Sequence, residues 1–451
     1  MKKHNSLDQY LELLRDNLHE IEDKSPEIFN TLRHKAVDAL ELNPHFPAKG
    51  SENYVLSDIN ALYAPDFGIN INRVLFRADA SAAFHCGVPN ISTLSAVVSG
   101  DTFVPSKALQ ANCPKGLIVM SLLQAAEKYP HIVEKYLGSL AWESSNVENL
   151  NTAFLQDGIF ILVEKNAEIE RPLQLVNIFN SRMPMAAFRR VLIVAEENSR
   201  LKLLVCDHTP SNGVEYLSSQ VVEVIARPGA SIEYYDIEET SATTSRTSAW
   251  HFRQEENSSL VFSTLSLSGG NSHNAIHIDL AAQHASAKLS GLVIATDNRV
   301  VENNVLLSHS ASECASRQIF KYALFDNSQG AFGGKIIVKE HAARTDAAQT
   351  NRNLLIGSEA RMQSNPQLEI YCDDVKASHG ATTGQLDARA LFYMQSRGIP
   401  EEEARKMLVQ AFMNDILNDI ELEPLRDRLK ILVEKRLDGD STAACGNCAI
   451  G

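Results

Sequence analysis

The residues whose type and spacing could do chemistry in this chain are mostly histidines and cysteines, and they are few. His379 stands in the stretch Leu368-Glu-Ile-Tyr-Cys-Asp-Asp-Val-Lys-Ala-Ser-His-Gly380. Alternation there sends Leu368, Ile370 and Cys372 to one strand face and Glu369, Tyr371 and Asp373 to the other. If the chain resumes as extended after Asp373-Asp374, then Val375, Ala377 and His379 share a face. On spacing alone a lone histidine at such a place is more often hydrogen-bonded structure than a ligand. Cys445-Gly-Asn-Cys448 is a CxxC that can chelate a metal or cycle as a dithiol. One pair without neighbouring histidines does not complete a four-ligand site, so an accessory tail is the reading and a weak ligand role for Cys445 and Cys448 the alternative. Cys86 beside His85, and Cys206 two residues from His208, read as structural thiols.

Other chemical motifs fail on inspection. Gly330-Ala-Phe-Gly-Gly-Lys-Ile336 approaches a phosphate-binding loop, but Gln329 stands where the first glycine belongs and Ile336 replaces the Mg²⁺-ligating hydroxyl. It reads as a strand turn. There is no G-x-S-x-G elbow, H-E-x-x-H helix or EF-hand loop, so a stand-alone enzyme has little support. With 42 basic and 56 acidic residues the formal charge is −14, which argues against a binder of duplex nucleic acid. The polar N-terminus carries no signal region, and no run approaches the roughly 18 apolar residues that cross a bilayer. Seven cysteines in 451 residues make a disulfide framework improbable. These features place the chain in the cytoplasm with reduced thiols.

The elements that must position these residues change in period along the chain. Leu7, Tyr10, Leu11, Leu14, Leu18 and Ile21 recur at helical spacing. A second helix is expected from Ile28 to Leu42, with Ser25 as cap and Pro26 at the first helical position. Asn72 to Phe76 is β-like, and further helix is expected between Leu117 and Leu140, split at Pro130. Residues 1–150 thus form a mostly helical region. From 151 to 385 the period becomes 2, with strands expected at 158–163, 173–178, 190–194, 201–205, 220–225, 231–235, 260–265, 275–280 and 289–294. A small polar turn precedes many of them, at Asn166, Asn198, Gly229, Asn257 and His284, recurring every 27 to 32 residues or so. That period favours a β-helix, whose coils bury residues only against neighbouring coils, modestly over a sandwich. Helix returns over 386–437. Asp387 caps a short helix closed by Gly398, and Pro400 opens a second with the apolar stripe Ala404, Met407, Leu408, Ala411, Phe412 and Ile416. A last helix runs from Leu425 to Leu437, and 438–451 is a mobile tail.

The stretch from Ser316-Arg-Gln-Ile-Phe-Lys321 through Gly333-Gly-Lys-Ile-Ile-Val338 and Thr345 to Leu355, and on to about Ile420, resembles the SufB/SufD family of the SUF iron–sulfur cluster assembly system. The resemblance thins toward the N-terminus. It implies an α+β, predominantly β fold: a right-handed parallel β-helix core flanked by N-terminal and C-terminal helical regions. It implies a non-catalytic scaffold subunit that pairs with a SufB paralogue through the end of the β-helix and docks the SufC ATPase on its C-terminal helices, at Met407, Leu408, Ala411 and Phe412. By the same resemblance two ATPase subunits would drive its rearrangement, no cofactor is held tightly, and iron or a transient iron–sulfur cluster is handled at the subunit interface. The family motif is usually Lys-Cys-Ser-His-Gly. Here Ala377 replaces the thiol, which leaves His379, with Cys372 if the register allows, as the interface and metal candidates. Gly380 stands where SufB has an acidic residue, which puts the chain on the SufD side. Cys314 coincides with a family cysteine and reads as packing. The rival readings are a β-helix enzyme acting on polysaccharide and a homodimeric metal-binding protein.

Overall fold

The computed structural model describes residues 5–74, 94–105, 107–141, 145–179, 181–209 and 213–438. Its centre is a parallel β-solenoid of about seven turns. Each coil gives one strand to each of two ten-stranded sheets. The first sheet runs from Leu117–Ser121 and Ile159–Val163 through Thr244–Gln254 and Ser272–Leu280 to Arg361–Ile370, and the second from Thr102–Val104 and Ser95–Ser99 to Val375–Gly384. Apart from the isolated bridge between Ser51 and Tyr54, within the described residues only the pairings of Ser95–Ser99 with Thr102–Val104 and of Leu117–Ser121 with Ile159–Val163 are antiparallel.

The corners are set by backbone conformation. Asn166, Asn198, Gly229, Asn257 and His284, the residues that open the sequence repeat, all have positive φ, and Glu313 and Arg344 continue the series. A left-handed residue turns the chain sharply, and Asn and Gly adopt it at least cost. Successive corners are tied by backbone bonds, as from Asn198 N–H to Pro228 O and from Gly229 N–H to Glu256 O.

Between the sheets lies a continuous apolar core that includes Leu203, Tyr234, Trp250, Phe252, Phe262, Leu289, Phe320 and Phe332. The outer face of the first sheet is covered by N-terminal helices, with Tyr10 of Ser6–Asp23 and Phe154 meeting Phe188 and Leu217. The outer face of the second is covered by C-terminal helices, with Val409, Met413, Ile416, Leu429 and Val433 packed on Tyr235, Ile237, Leu265 and Leu292. Buried charges latch these layers on. Glu302 accepts from the Val55, Leu56 and Ser57 amides at 2.7, 3.1 and 2.8 Å. Glu223 accepts from the Gly138 and Leu140 amides and pairs with Arg190 at 2.7 Å. Lys321 Nζ donates to Phe412 O and reaches Asp415 at 2.6 Å.

Several local expectations are corrected. Leu117–Ser121 is a strand, not the start of a helix; the helices Leu122–Lys128 and Pro130–Tyr136 follow, divided at Pro130. That strand, Ser95–Ser99 and Thr102–Val104 come from the region read as mostly helical and extend the sheets. Pro26, not Ser25, is the N-cap of Glu27–Leu42, because the Ser25 hydroxyl turns back to Ile21 O. Asn72 to Val74 lies in no strand, and Leu75 and Phe76 fall outside the described residues. Gly330 to Ile336 is no turn: the strand Gln329–Val338 runs straight through it. Its glycines make room, since a Cβ on Gly334 would lie 2.4 Å from Gln349 Nε2 and one on Gly333 2.4 Å from Asn304 Oδ1. Thr244–Gln254 is a strand that the sequence did not announce.

Candidate functional site

The two ends of the solenoid are unlike. The N-terminal end is closed by the antiparallel strands, whereas among the described residues Arg361–Ile370 and Val375–Gly384 each have a neighbouring strand on one side only and are exposed or half-buried along their length. His379 lies in that last strand. Its register partner is Gln349, and the same inward row runs back through Gln318, Leu289, Phe262 and Tyr234 to Leu203. A row that is apolar for four coils therefore turns polar for the last three and ends on an exposed imidazole. Gln349 donates to Gln318 at 3.0 Å, while its buried Oε1 meets no donor among the described residues. Beside them Ser364 donates to Asn351 and Asn353 bonds both Asn351 and Thr383. An interior that ends in unmatched amide and imidazole groups is one that another surface can complete.

Cys372 belongs to the connection between these two strands, not to a strand. It is half-buried and packs with Val375 and Ala377 against the interior core. The shared face expected for Val375, Ala377 and His379 follows from the strand Val375–Gly384, though burial falls from half-buried Ala377 to exposed His379. Gly380 is not required by space, since a Cβ there would meet no atom within 4 Å. Cys314 is buried, with Sγ 3.2 Å from Ala282 O. Cys445 and Cys448, like His85 and Cys86, lie outside the described residues.

The C-terminal helices carry the second candidate surface. Asp387 caps Ala388–Ser396 by accepting from the Arg389 amide, and Gly398 has φ +87. That helix buries none of its residues and leaves Phe392 and Tyr393 exposed. In Glu401–Asn418 the inward face is Ala404, Val409, Met413, Ile416 and Leu417. Of the expected stripe, Met407 and Ala411 are exposed and Leu408 is half-buried, while Phe412 is half-buried under Lys321, whose Nζ sits 4.8 Å from the ring centre.

A profile of the SUF system FeS cluster assembly SufBD core domain matches residues 177–412, and one of the SufBD protein N-terminal region matches 4–175. The chain belongs to the SufBD family. An iron–sulfur cluster assembly SufBD family protein of Synechocystis is 26% identical over 399 residues, covering 86% of this chain and 87% of the relative. The iron–sulfur cluster assembly protein SufD of Escherichia coli is 37% identical over 160 residues, 36% of this chain and 38% of the relative. The Bacillus subtilis SufD is 26% identical over 327 residues, 72% and 74% of the two chains. This SufBD chain is thus SufD-like, and the core-domain match takes in His379, Cys372, Met407, Leu408, Ala411 and Phe412. Among its described residues no helix is long and apolar enough to cross a membrane.

One constellation in this SufBD chain was missed by sequence reasoning: Glu148, His251 and His277, on the outer face of the first sheet. Burial would raise the Glu148 carboxyl, but His251 and His277 overcome it and hold it below the usual range; burial pushes His277 down to about 4. The sequence signal was the 26-residue separation of the two histidines, about one coil, but His251 lay in a strand that was not expected.

Proposed function

We propose that this SufBD-family chain is a non-catalytic scaffold subunit. It pairs with a SufB paralogue through Arg361–Ile370 and Val375–Gly384, and His379 contributes to a cluster-assembly site at that interface. The observation that carries this reading is the uncovered end of the solenoid. Two parallel strands with free backbone edges are a template for a further strand, and the interior row that reaches them ends on His379 above an unmatched Gln349 carbonyl. A related solenoid docked there would satisfy the edges and close the polar interior in one step. Iron and sulfide are cargo at such an interface. The imidazole supplies a borderline ligand, and the thiol that completes the site must come from the partner or from movement of Cys372.

The exposed side of the C-terminal helices supports docking of the SufC ATPase. Phe392, Tyr393 and Met407 are large apolar side chains, 72%, 58% and 42% exposed, carried on two neighbouring helices. Single exposed apolar residues are ordinary, and three large ones on two neighbouring helices support an interaction surface there. Co-expression with SufB and SufC, followed by capture through a tag on this chain, tests both contacts. The expected result is recovery of both partners, loss of SufB alone when the terminal strand is broken by Thr382→Pro, and loss of SufC alone with Met407→Asp. Retention of SufB by Thr382→Pro would overturn the edge assignment.

A further inference from the structure

Away from the uncovered end, three donor atoms converge on the outer face of the first sheet. His251 and His277 are register partners on Thr244–Gln254 and Ser272–Leu280, their rings stacked at 4.7 Å between centres and 7° between planes. Glu148, on the helix Asn146–Ala153, brings its Oε2 to 2.6 Å from His251 Nε2. One donor atom from each of the three lies within 4.8 Å of the other two. Glu148 and His251 are buried, and His277 is half-buried at the wall of a cavity of about 480 Å³. His273 and Lys335 line the same cavity, as do Asn365 and Gln367 of Arg361–Ile370, so the space runs from the three donors toward the uncovered end of the solenoid.

A clamp between helix and sheet needs only the Glu148–His251 pair. His277 adds no hydrogen bond to it among the described residues, yet the register holds its ring face to face with His251. Two imidazole nitrogens and one carboxylate oxygen are the donor set that holds Zn²⁺ in hydrolytic sites and Fe²⁺ in non-haem sites with coordination positions left open. Donor distances of about 2.0 to 2.2 Å around such an ion set the donors roughly 3 to 4 Å apart. Reaching that arrangement requires the stacked rings to rotate, and the ion displaces the proton shared by Glu148 and His251. We propose that Glu148, His251 and His277 form a three-donor site for a divalent first-row transition ion, Fe²⁺ or Zn²⁺, with its remaining positions open to the cavity. The absence of thiolate separates this site from any that the CxxC tail could form.

Co²⁺ is a visible probe of the donor set, because nitrogen and oxygen ligation gives weak visible d–d bands while thiolate ligation adds intense near-ultraviolet charge transfer. Titration of the metal-stripped full chain carrying Cys445→Ser and Cys448→Ser should give d–d bands saturating at about one equivalent, without charge transfer, and Zn²⁺ should displace them. His277→Ala should melt near the parent and bind Co²⁺ at least about tenfold more weakly. His251→Gln keeps a hydrogen-bond donor for Glu148 and should lose the bands as well. Undiminished bands in His277→Ala, or no bands in the parent, would overturn the proposal.

Discussion

Replacing His379 by alanine separates folding from function at the scale of one residue. The side chain is exposed on the last strand and makes no hydrogen bond among the described residues, so its removal is expected to change stability by no more than about 0.5 kcal/mol. Chain recovery and melting should match wild type, while iron and sulfide retained by the co-expressed complex fall by more than about half, because the imidazole is the remaining borderline ligand on that face. Normal cluster yield would sink the site and leave family membership untouched. Ala377→Cys restores the thiol of the family motif at a half-buried position that already packs on the core. It should be tolerated and should raise iron retention in the same assay. Serine at Cys445 and Cys448 is expected to leave complex assembly and cluster content unchanged; a loss of half the iron at equal protein would make the tail a ligand-bearing segment.

At the scale of the element, the helix Glu401–Asn418 has two apolar arcs, and only one meets the sheet. Met413 is fully buried against the second sheet and Met407 is 42% exposed. Met413→Asp should therefore destabilise the protein by several kcal/mol, on the order of 3 or more, through an unpaired buried charge. Met407→Asp should leave circular dichroism and melting near wild type while abolishing ATPase capture. The reverse pattern would make the outer arc structural. Phe412 is a poorer probe, because its ring and carbonyl are both engaged by Lys321. The sequence stripe mixed the two arcs. Ala404 and Ile416 point inward as expected, while Val409 and Met413 replace Leu408 and Phe412 in the core, since helical spacing marks apolar faces without saying which one a sheet will cover.

For the whole molecule, Glu302 is one of the buried charges that fasten the N-terminal layer, holding residues 55–57. Burial alone would raise its carboxyl, but His273 and Ser57 reverse the effect and hold it at about 2. A depressed carboxyl contributes stability that is fully present above its unfolded value near 4.5 and is lost as pH falls from there toward about 2. Glu302→Gln should cost on the order of 2 to 3 kcal/mol at neutral pH. The gap in urea midpoint between variant and wild type should then narrow as pH drops below about 4.5. A gap independent of pH across that window would mean that the carboxylate charge is not what holds residues 55–57.

By itself the sequence determined the corner residues and much of the period. Asn166, Asn198 and Gly229 were legible because a left-handed turn selects Asn and Gly whatever surrounds it, and Leu173–Ile178 was legible because Leu173, Leu175, Val176 and Ile178 put apolar side chains on both faces. Tertiary structure decided what depends on neighbours distant in the chain. Thr244–Gln254 escaped notice because its inward Arg246 and Ser248 are polar, and they are tolerated inside because Asp236 meets Arg246 with both oxygens at 2.8 Å. Gly333 and Gly334 looked like punctuation, but they clear space for Asn304 on the neighbouring strand and for Gln349 of the facing sheet. His379 could be singled out from its stretch of chain; its place at the end of an interior row, above Gln349, was fixed only by coil-to-coil register. Glu148, His251 and His277 meet for the same reason: stacking brings residues about one coil apart side by side, and a helix about a hundred residues upstream closes over them.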